Sequence, residues 1–209
     1  MKTHYHQIAG QNLDRLAALS DGIFAVAMTL LVLNLHVPVS DAIHNEGKLW
    51  AAIIKLTPSL LTYFMTFLTL GIFWVGHQTQ LNHFARSDRH LTWIHLAFLF
   101  LVTLTPFSTA LLNEYITYRI ALVVYWFNIF LLGAVLFGSL RYALKAGLID
   151  EDMETDFRLA SERRIIIAQA LYAFGTLLCI ISTYASIAVI VLAQLNYAIA
   201  PKIRLLEQL

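Results

Sequence analysis

The chain is 209 residues long, 59% hydrophobic and only 13% charged, with a mean hydropathy of +0.69. Soluble domains carry about 45–50% apolar and about 25% charged residues, so this composition excludes an ordinary water-soluble fold and points to a bilayer as the solvent. The net charge of +1 gives no basis for polyanion binding, and the single cysteine, Cys179, excludes an internal disulfide and a thiolate metal site.

Residues 1–12 (MKTHYHQIAGQN) are mostly polar, and the apolar run behind them is longer than the core of a cleavable signal. A permanent first span is expected from Asn12 to Leu35, ending before Pro38, because proline disfavours helix at the residue preceding it. The second span is expected over Lys48 to Val75, with Pro58 bending it and freeing the carbonyl of Ile54. The third covers Leu91 to Leu112, with Pro106 near its far end, and the fourth Tyr118 to Tyr142. The stretch from Lys145 to Arg164, containing DEDMETDFRLASERR, is too charged for lipid and suits a short surface helix. The last apolar block is too long for one span and divides into 163–181 and 185–201 around a turn near Ser182 to Ser186.

The expected fold is therefore an all-α integral membrane protein, one domain over 1–209, with six transmembrane helices. Basic residues near helix ends set orientation. Lys2, Arg15, Arg86, Arg89, Arg141, Lys145, Arg158, Arg163, Arg164, Lys202 and Arg204 fall on one side, and only Lys48, Lys55 and Arg119 on the other. Both termini are expected to be cytoplasmic. Trp50, Trp74, Trp93 and Trp126 lie near span ends, as interface anchors do.

Charges inside the spans are few. Helices three to six have essentially none in their middles, which argues against an ion-coupled carrier with a site inside one subunit. Lys55, near an end of the second span, can snorkel outward. The first helix is the exception. Arg15 and Asp21 stand six residues apart, hence on different faces. Each needs partners elsewhere, with Trp74, His77, Asn82, His83 and Asp88 as candidates, or else reaches interface water. One stripe of this helix holds Leu19, Gly22, Val26, Thr29, Leu30 and Leu33. Gly22 permits close approach of another backbone. Periodicity leaves open whether the stripe meets lipid, protein or water.

The run Arg15-Leu16-Ala17-Ala18-Leu19-Ser20-Asp21, followed by GIFAVAMTLLVLNLHVP, resembles the signature of the prokaryotic transmembrane-protein-175 family of potassium channels. That family carries Arg-x-x-x-Phe-Ser-Asp at the start of its first helix; Leu19 stands here in place of Phe. Trp74-Val-Gly-His77, Asn82-His83-Phe84, Asp88 and Thr105-Pro106-Phe107 add to the likeness. The resemblance implies a homotetramer of six-helix chains whose first helices line a central pore. It places an apolar constriction at Val26, a hydroxyl ring tied to potassium preference at Thr29, and further apolar layers at Leu30 and Leu33. Valine is smaller than the usual Ile or Leu, so a wider neck is expected. Arg15, Ser20 and Asp21 become architectural, held through polar contacts to Trp74, His77 and Asp88.

The function this implies is a potassium-permeable cation channel of modest preference over sodium, with potassium ions, the bilayer and its own copies as partners. Thr29 can instead bond back to the carbonyl of Ala25. Asp41, His44 and Glu46 sit in the outer loop, where they could gather cations. No cofactor is expected, and the histidines at 4, 6, 77, 83, 90 and 95 lack metal-site spacing. The rivals are a proton or other cation channel or carrier, and a non-conducting membrane scaffold; no nucleophile–base set supports an enzyme.

Overall fold

The computed structural model describes residues 12–39, 43–149 and 154–199. Lys2, His4, His6, Asp41, Lys202 and Arg204, named above for charge or chemistry, lie outside them. The described residues form α1 (Leu13–Leu30, extended by a 3-10 turn Leu31–Asn34), α2 (Glu46–Lys55), α3 (Thr57–His83), α4 (Arg89–Glu114), α5 (Arg119–Lys145), α6 (Glu154–Leu177, extended by a 3-10 turn Leu178–Ile180) and α7 (Thr183–Ile199). Among the described residues five segments are long and apolar enough to cross a membrane: Leu13–Asn34, Thr57–His83, Arg89–Glu114, Arg119–Lys145 and Arg158–Ile180. The apolar helix α7 is shorter, with 17 residues.

Helix starts follow local chemistry. Asn12, Asn45 and Asp88 each stand in extended backbone and accept the amide of the residue three further on, at 3.0, 2.9 and 2.7 Å. Each thereby satisfies one orphan N–H of a first turn. At the far end of α5 the chain stops in a Schellman arrangement. Gly147 has φ +63°, Leu148 N donates to Ala143 O at 2.9 Å and Gly147 N to Leu144 O at 3.3 Å.

The second span differs from the expected Lys48–Val75. The chain turns at Leu56, so α2 is a separate short helix and α3 runs on to His83. Pro58 then lies in the first turn of α3, where its missing N–H removes no helical bond. The carbonyl of Ile54 is taken by the Thr57 hydroxyl at 2.7 Å. The charged stretch before the fifth span also differs. It forms no separate surface helix after Glu154 but is the beginning of α6, which continues unbroken into the apolar part. The break after it falls at Ile181–Ser182, beside the expected turn.

Leaving α2 aside, successive helices alternate in direction, which leaves two chemically distinct ends. At one end Leu16, Leu81, Phe84, Leu91, Leu140 and Leu148 pack together, Phe84 pairs with Ile149, and Arg86 donates to Gly147 O at 3.2 Å. Arg141 meets Glu162 there at 3.0 Å. At the other end Asn113 reaches Asn34 O at 3.5 Å and Arg119 reaches Ile180 O at 2.9 Å.

Between the ends α4 packs along α5, α1 lies against α3 and α4, and α7 covers α3 and α6. The apolar core includes Phe24, Met65, Leu70, Phe98, Val102, Leu122, Ile129, Leu132 and Ile187. A polar thread runs through it. Tyr125 OH lies 3.3 Å from Thr66 Oγ1 and 3.0 Å from Thr69 Oγ1, and the Thr109 hydroxyl donates to Thr66 at 3.0 Å. The Gln194 amide donates to Thr69 Oγ1 at 2.6 Å and to Tyr172 OH at 3.1 Å. Without water, each such group must find its partner inside the bundle.

Candidate functional site

α1 has two unlike faces. Leu16, Ser20, Phe24, Ala27 and Leu31 are buried against the bundle. The opposite face carries Leu19 (45% exposed), Val26 (57%), Leu30 (44%) and Leu33 (68%), with Gly22 and Thr29 exposed among them. These are the residues of the stripe read from the sequence. A Cβ added at Gly22 would meet nothing within 4 Å. Leu19, Gly22, Val26 and Leu30 of the stripe line a shallow apolar groove completed by Thr103 and Pro106 of α4, which Thr29 and Leu33 do not line.

Within the subunit the Thr29 hydroxyl is engaged. It donates to Ala25 O and to Val26 O, both at 2.9 Å. Back-bonding of this kind satisfies the hydroxyl proton while leaving oxygen lone pairs on the exposed side.

The polar lower part of α1 is tied to α3 by one residue. Asp21 Oδ1 accepts from Trp74 Nε1 at 2.8 Å and from Gln78 Nε2 at 2.5 Å. Trp74 was a candidate from sequence; Gln78 was not, although it sits four residues on and so shares Trp74's face. Ser20 makes no hydrogen bond to α3 or α4. It is buried and returns its hydroxyl to Leu16 O at 2.8 Å. Arg15 is exposed; its backbone N–H takes the Asn12 cap, and its side chain forms no hydrogen bond or ion pair with α3.

His77 supports α1 by packing. It is fully buried, lies stacked on Phe98 with ring centroids 4.9 Å apart, and has Phe24 of α1 at 6.4 Å. Its Nε2 shares a hydrogen bond of 2.9 Å with His95 Nδ1, and His95 Nε2 stands 3.4 Å from Ser139 Oγ. The part of His95 in this pair carries no local sequence signature. Asp88 makes no hydrogen bond or ion pair with Asp21 or Arg15. It caps α4 and accepts from Tyr142 OH at 2.6 Å. Among the described residues no group of three His, Cys, Asp or Glu is placed to hold a metal ion. His44 and Glu46 are exposed before and at the start of α2.

Long apolar helices around a polar thread, with one helix half uncovered, define a multi-pass helical membrane protein. Residues 15–106 match the family described as endosomal/lysosomal potassium channel TMEM175. A protein of Chamaesiphon minutus named as a potassium channel is 33% identical over 88% of this chain and 93% of its own length. One of Streptomyces collinus, also named as a potassium channel, is 42% identical over 49% of this chain, which spans 48% of that relative's length. A solved structure titled as a lysosomal potassium-selective channel TMEM175 homolog from Chamaesiphon minutus superposes with a TM-score of 0.78. It is 28% identical, and the match covers 90% of this chain and 97% of that one. A Danio rerio relative named as an endosomal/lysosomal proton channel is 32% identical over 41% of this chain and 17% of its own length. The chain belongs to the TMEM175 family, which is a family of ion channels.

Proposed function

We propose that this protein is a potassium-permeable cation channel of the cell membrane, built from four copies whose α1 helices surround a pore on the tetramer axis. The observation that carries the reading is the half-covered α1. A helix whose one face is a continuous exposed row of Leu19, Val26, Leu30 and Leu33, next to a buried row of Phe24, Ala27 and Leu31, has a surface left for something other than its own bundle. The names of the Chamaesiphon and Streptomyces relatives support potassium as the ion.

In this reading α7 is a sixth, short span, and the even count returns both termini to the cytoplasmic side with the larger set of basic residues. Val26 forms the narrowest ring. Apolar rings gate by dewetting, so conduction requires the ring to widen until the cation keeps part of its water. Thr29, one turn on, offers the only hydroxyl of the stripe. Its oxygen lone pairs replace some of the lost hydration, a weak field that gives a modest preference for potassium over sodium. Leu30 and Leu33 continue the apolar wall. Arg15, Ser20 and Asp21 do not touch the ion; Asp21 with Trp74 and Gln78, and His77 behind Phe24, hold the helix in place, and Asp88 sets the start of α4.

The test is cation flux into liposomes holding the purified chain, without an added ionophore. Wild type is expected to pass potassium better than sodium. Val26→Asn, which wets the ring, is expected to raise flux about tenfold, and Thr29→Ala to reduce the potassium preference. Flux indifferent to both substitutions removes α1 from the pore, and no flux in any ion gradient leaves the non-conducting scaffold. The Danio rerio relative's name favours one second reading, a proton channel. A proton current without potassium flux in the same liposomes would select it.

A further inference from the structure

None of the 10 residues of α2 is buried. The helix has two unlike sides. By the helical period Leu49, Trp50, Ile53 and Ile54 project on one side, and Lys48 and Lys55, seven residues apart, on the other. Trp50 is 66% exposed. Neither lysine takes part in an ion pair among the described residues. Glu46, in line with the apolar side, is the first residue of the helix, where a carboxylate suits the unpaired amides of the first turn.

The bundle fixes the depth of this helix. After the turn at Leu56, α3 has 27 residues, about 40 Å of helix, which already exceeds the roughly 30 Å of bilayer hydrocarbon. α2 is therefore not needed to cross. The Thr62 hydroxyl donates to Asn113 Oδ1 at 3.4 Å, and Asn113 Nδ2 donates to Asn34 O at 3.5 Å, so the end of α1 and Thr62 of α3 share one level. α2 joins α3 beyond that level, in the polar layer that widens the bilayer to about 40–45 Å. Tyr115 and Tyr118, between α4 and α5, and Tyr184, at the start of α7, are exposed at the same end. Aromatic side chains gather in this way at a lipid–water boundary.

We propose that α2 lies on the membrane as an interfacial helix that binds anionic phospholipid, in the leaflet at the end of α1. Leu49, Trp50, Ile53 and Ile54 enter the boundary between headgroups and acyl chains. Lys48 and Lys55, on long flexible stems, reach the phosphate oxygens around the helix. A neutral membrane would receive the apolar side equally well but would leave the lysines without a partner. A second copy of the chain is the poorer fit. Helix contacts between membrane chains favour small residues, as Gly22 offers on α1, whereas this side of α2 is four bulky side chains.

The experiment places a nitroxide at Ile53→Cys or at Ala51→Cys, each with Cys179→Ala, and reconstitutes the full chain into phosphatidylcholine vesicles holding about a quarter phosphatidylglycerol. Collision with oxygen, which concentrates in lipid, is compared with collision with a water-soluble nickel chelate. The Ile53 label is expected to favour oxygen over nickel about threefold more than the Ala51 label does. Replacing phosphatidylglycerol by phosphatidylcholine, or adding Lys48→Glu with Lys55→Glu, is expected to shift the Ile53 label toward water and close most of that gap. Cys179 is buried, so a second reading leaves it in place. Lipids brominated high on the acyl chain are expected to quench less fluorescence from Trp50→Phe than from wild type. An Ile53 label as open to nickel as the Ala51 label would put α2 in water, and an immobile label closed to both reagents would put it between copies. Either result overturns the proposal, as does a gap that survives the charge reversal or the neutral vesicles, or quenching that does not change when Trp50 is lost.

Discussion

Asp21 concentrates the polar support of α1 on one carboxylate oxygen that receives donors from two side chains of α3. Each of these exposed hydrogen bonds contributes about 1 kcal/mol, so Asp21→Ala is expected to lower stability by about 2 kcal/mol. Trp74→Phe, which keeps most of the ring and removes one donor, is expected to cost about 1 kcal/mol. Thermal unfolding in detergent, followed by size-exclusion chromatography, measures both. The sequence made Asp21 suspicious because a short acid in an apolar helix needs a partner. It offered Trp74 and His77 on equal terms. Only the structure separates them: Trp74 donates to Asp21, while His77 turns to His95 and presents a ring to Phe24. Asp88 was drawn toward α1 by its place at the same end of the spans as well as by likeness, although its position just before an apolar helix already carried the mark of an N-cap.

Helix ends and breaks were legible where one residue type decides them. Asn12 and Asp88 cap, and Gly147 closes α5 with a left-handed backbone that other residues adopt at a cost of about 1–2 kcal/mol. Gly147→Ala is therefore expected to destabilise the chain by roughly that amount, with the loss read from thermal unfolding and more rapid proteolysis at the 145–149 loop. Pro58 shows the limit. A proline inside an apolar run reads equally as a kink or as the first turn of a new helix. The turn at Leu56 decided for the second, with Thr57 closing the carbonyl of Ile54. The charged residues before the fifth span misled in a related way. Hydropathy separates Arg158–Arg164 from the apolar run behind it, but backbone hydrogen bonding does not, so α6 passes through both.

Across the bundle, the Tyr125 hydroxyl joins Thr66 and Thr69, and through them Thr109 and Gln194, so that α3, α4, α5 and α7 share one buried network. Tyr125→Phe leaves Thr69 and Thr66 short of a partner, and a loss of about 1–3 kcal/mol is expected, measured by thermal unfolding. The proposed assembly makes a different demand. Gly22 has open space around it within one subunit, so Gly22→Leu is expected to leave the helicity of each chain intact. If α1 helices meet across an axis, the added side chain weakens the tetramer, and native mass spectrometry would show smaller species. An unchanged tetramer would place Gly22 away from any contact between copies.

Membrane residence was determined by the sequence by itself, because 59% hydrophobic residues in long runs have no other stable solvent. The sequence also drew the stripe on α1, since helical period alone aligns Leu19, Val26, Leu30 and Leu33. Which side of α1 stays uncovered was decided only by the tertiary structure. α1 is apolar nearly all round, and hydrophobicity cannot distinguish a face that packs from a face that waits. The choice came from Phe24, Ala27 and Leu31 fitting between α3 and α4, where shape and close packing, rather than transfer from water, select among apolar surfaces.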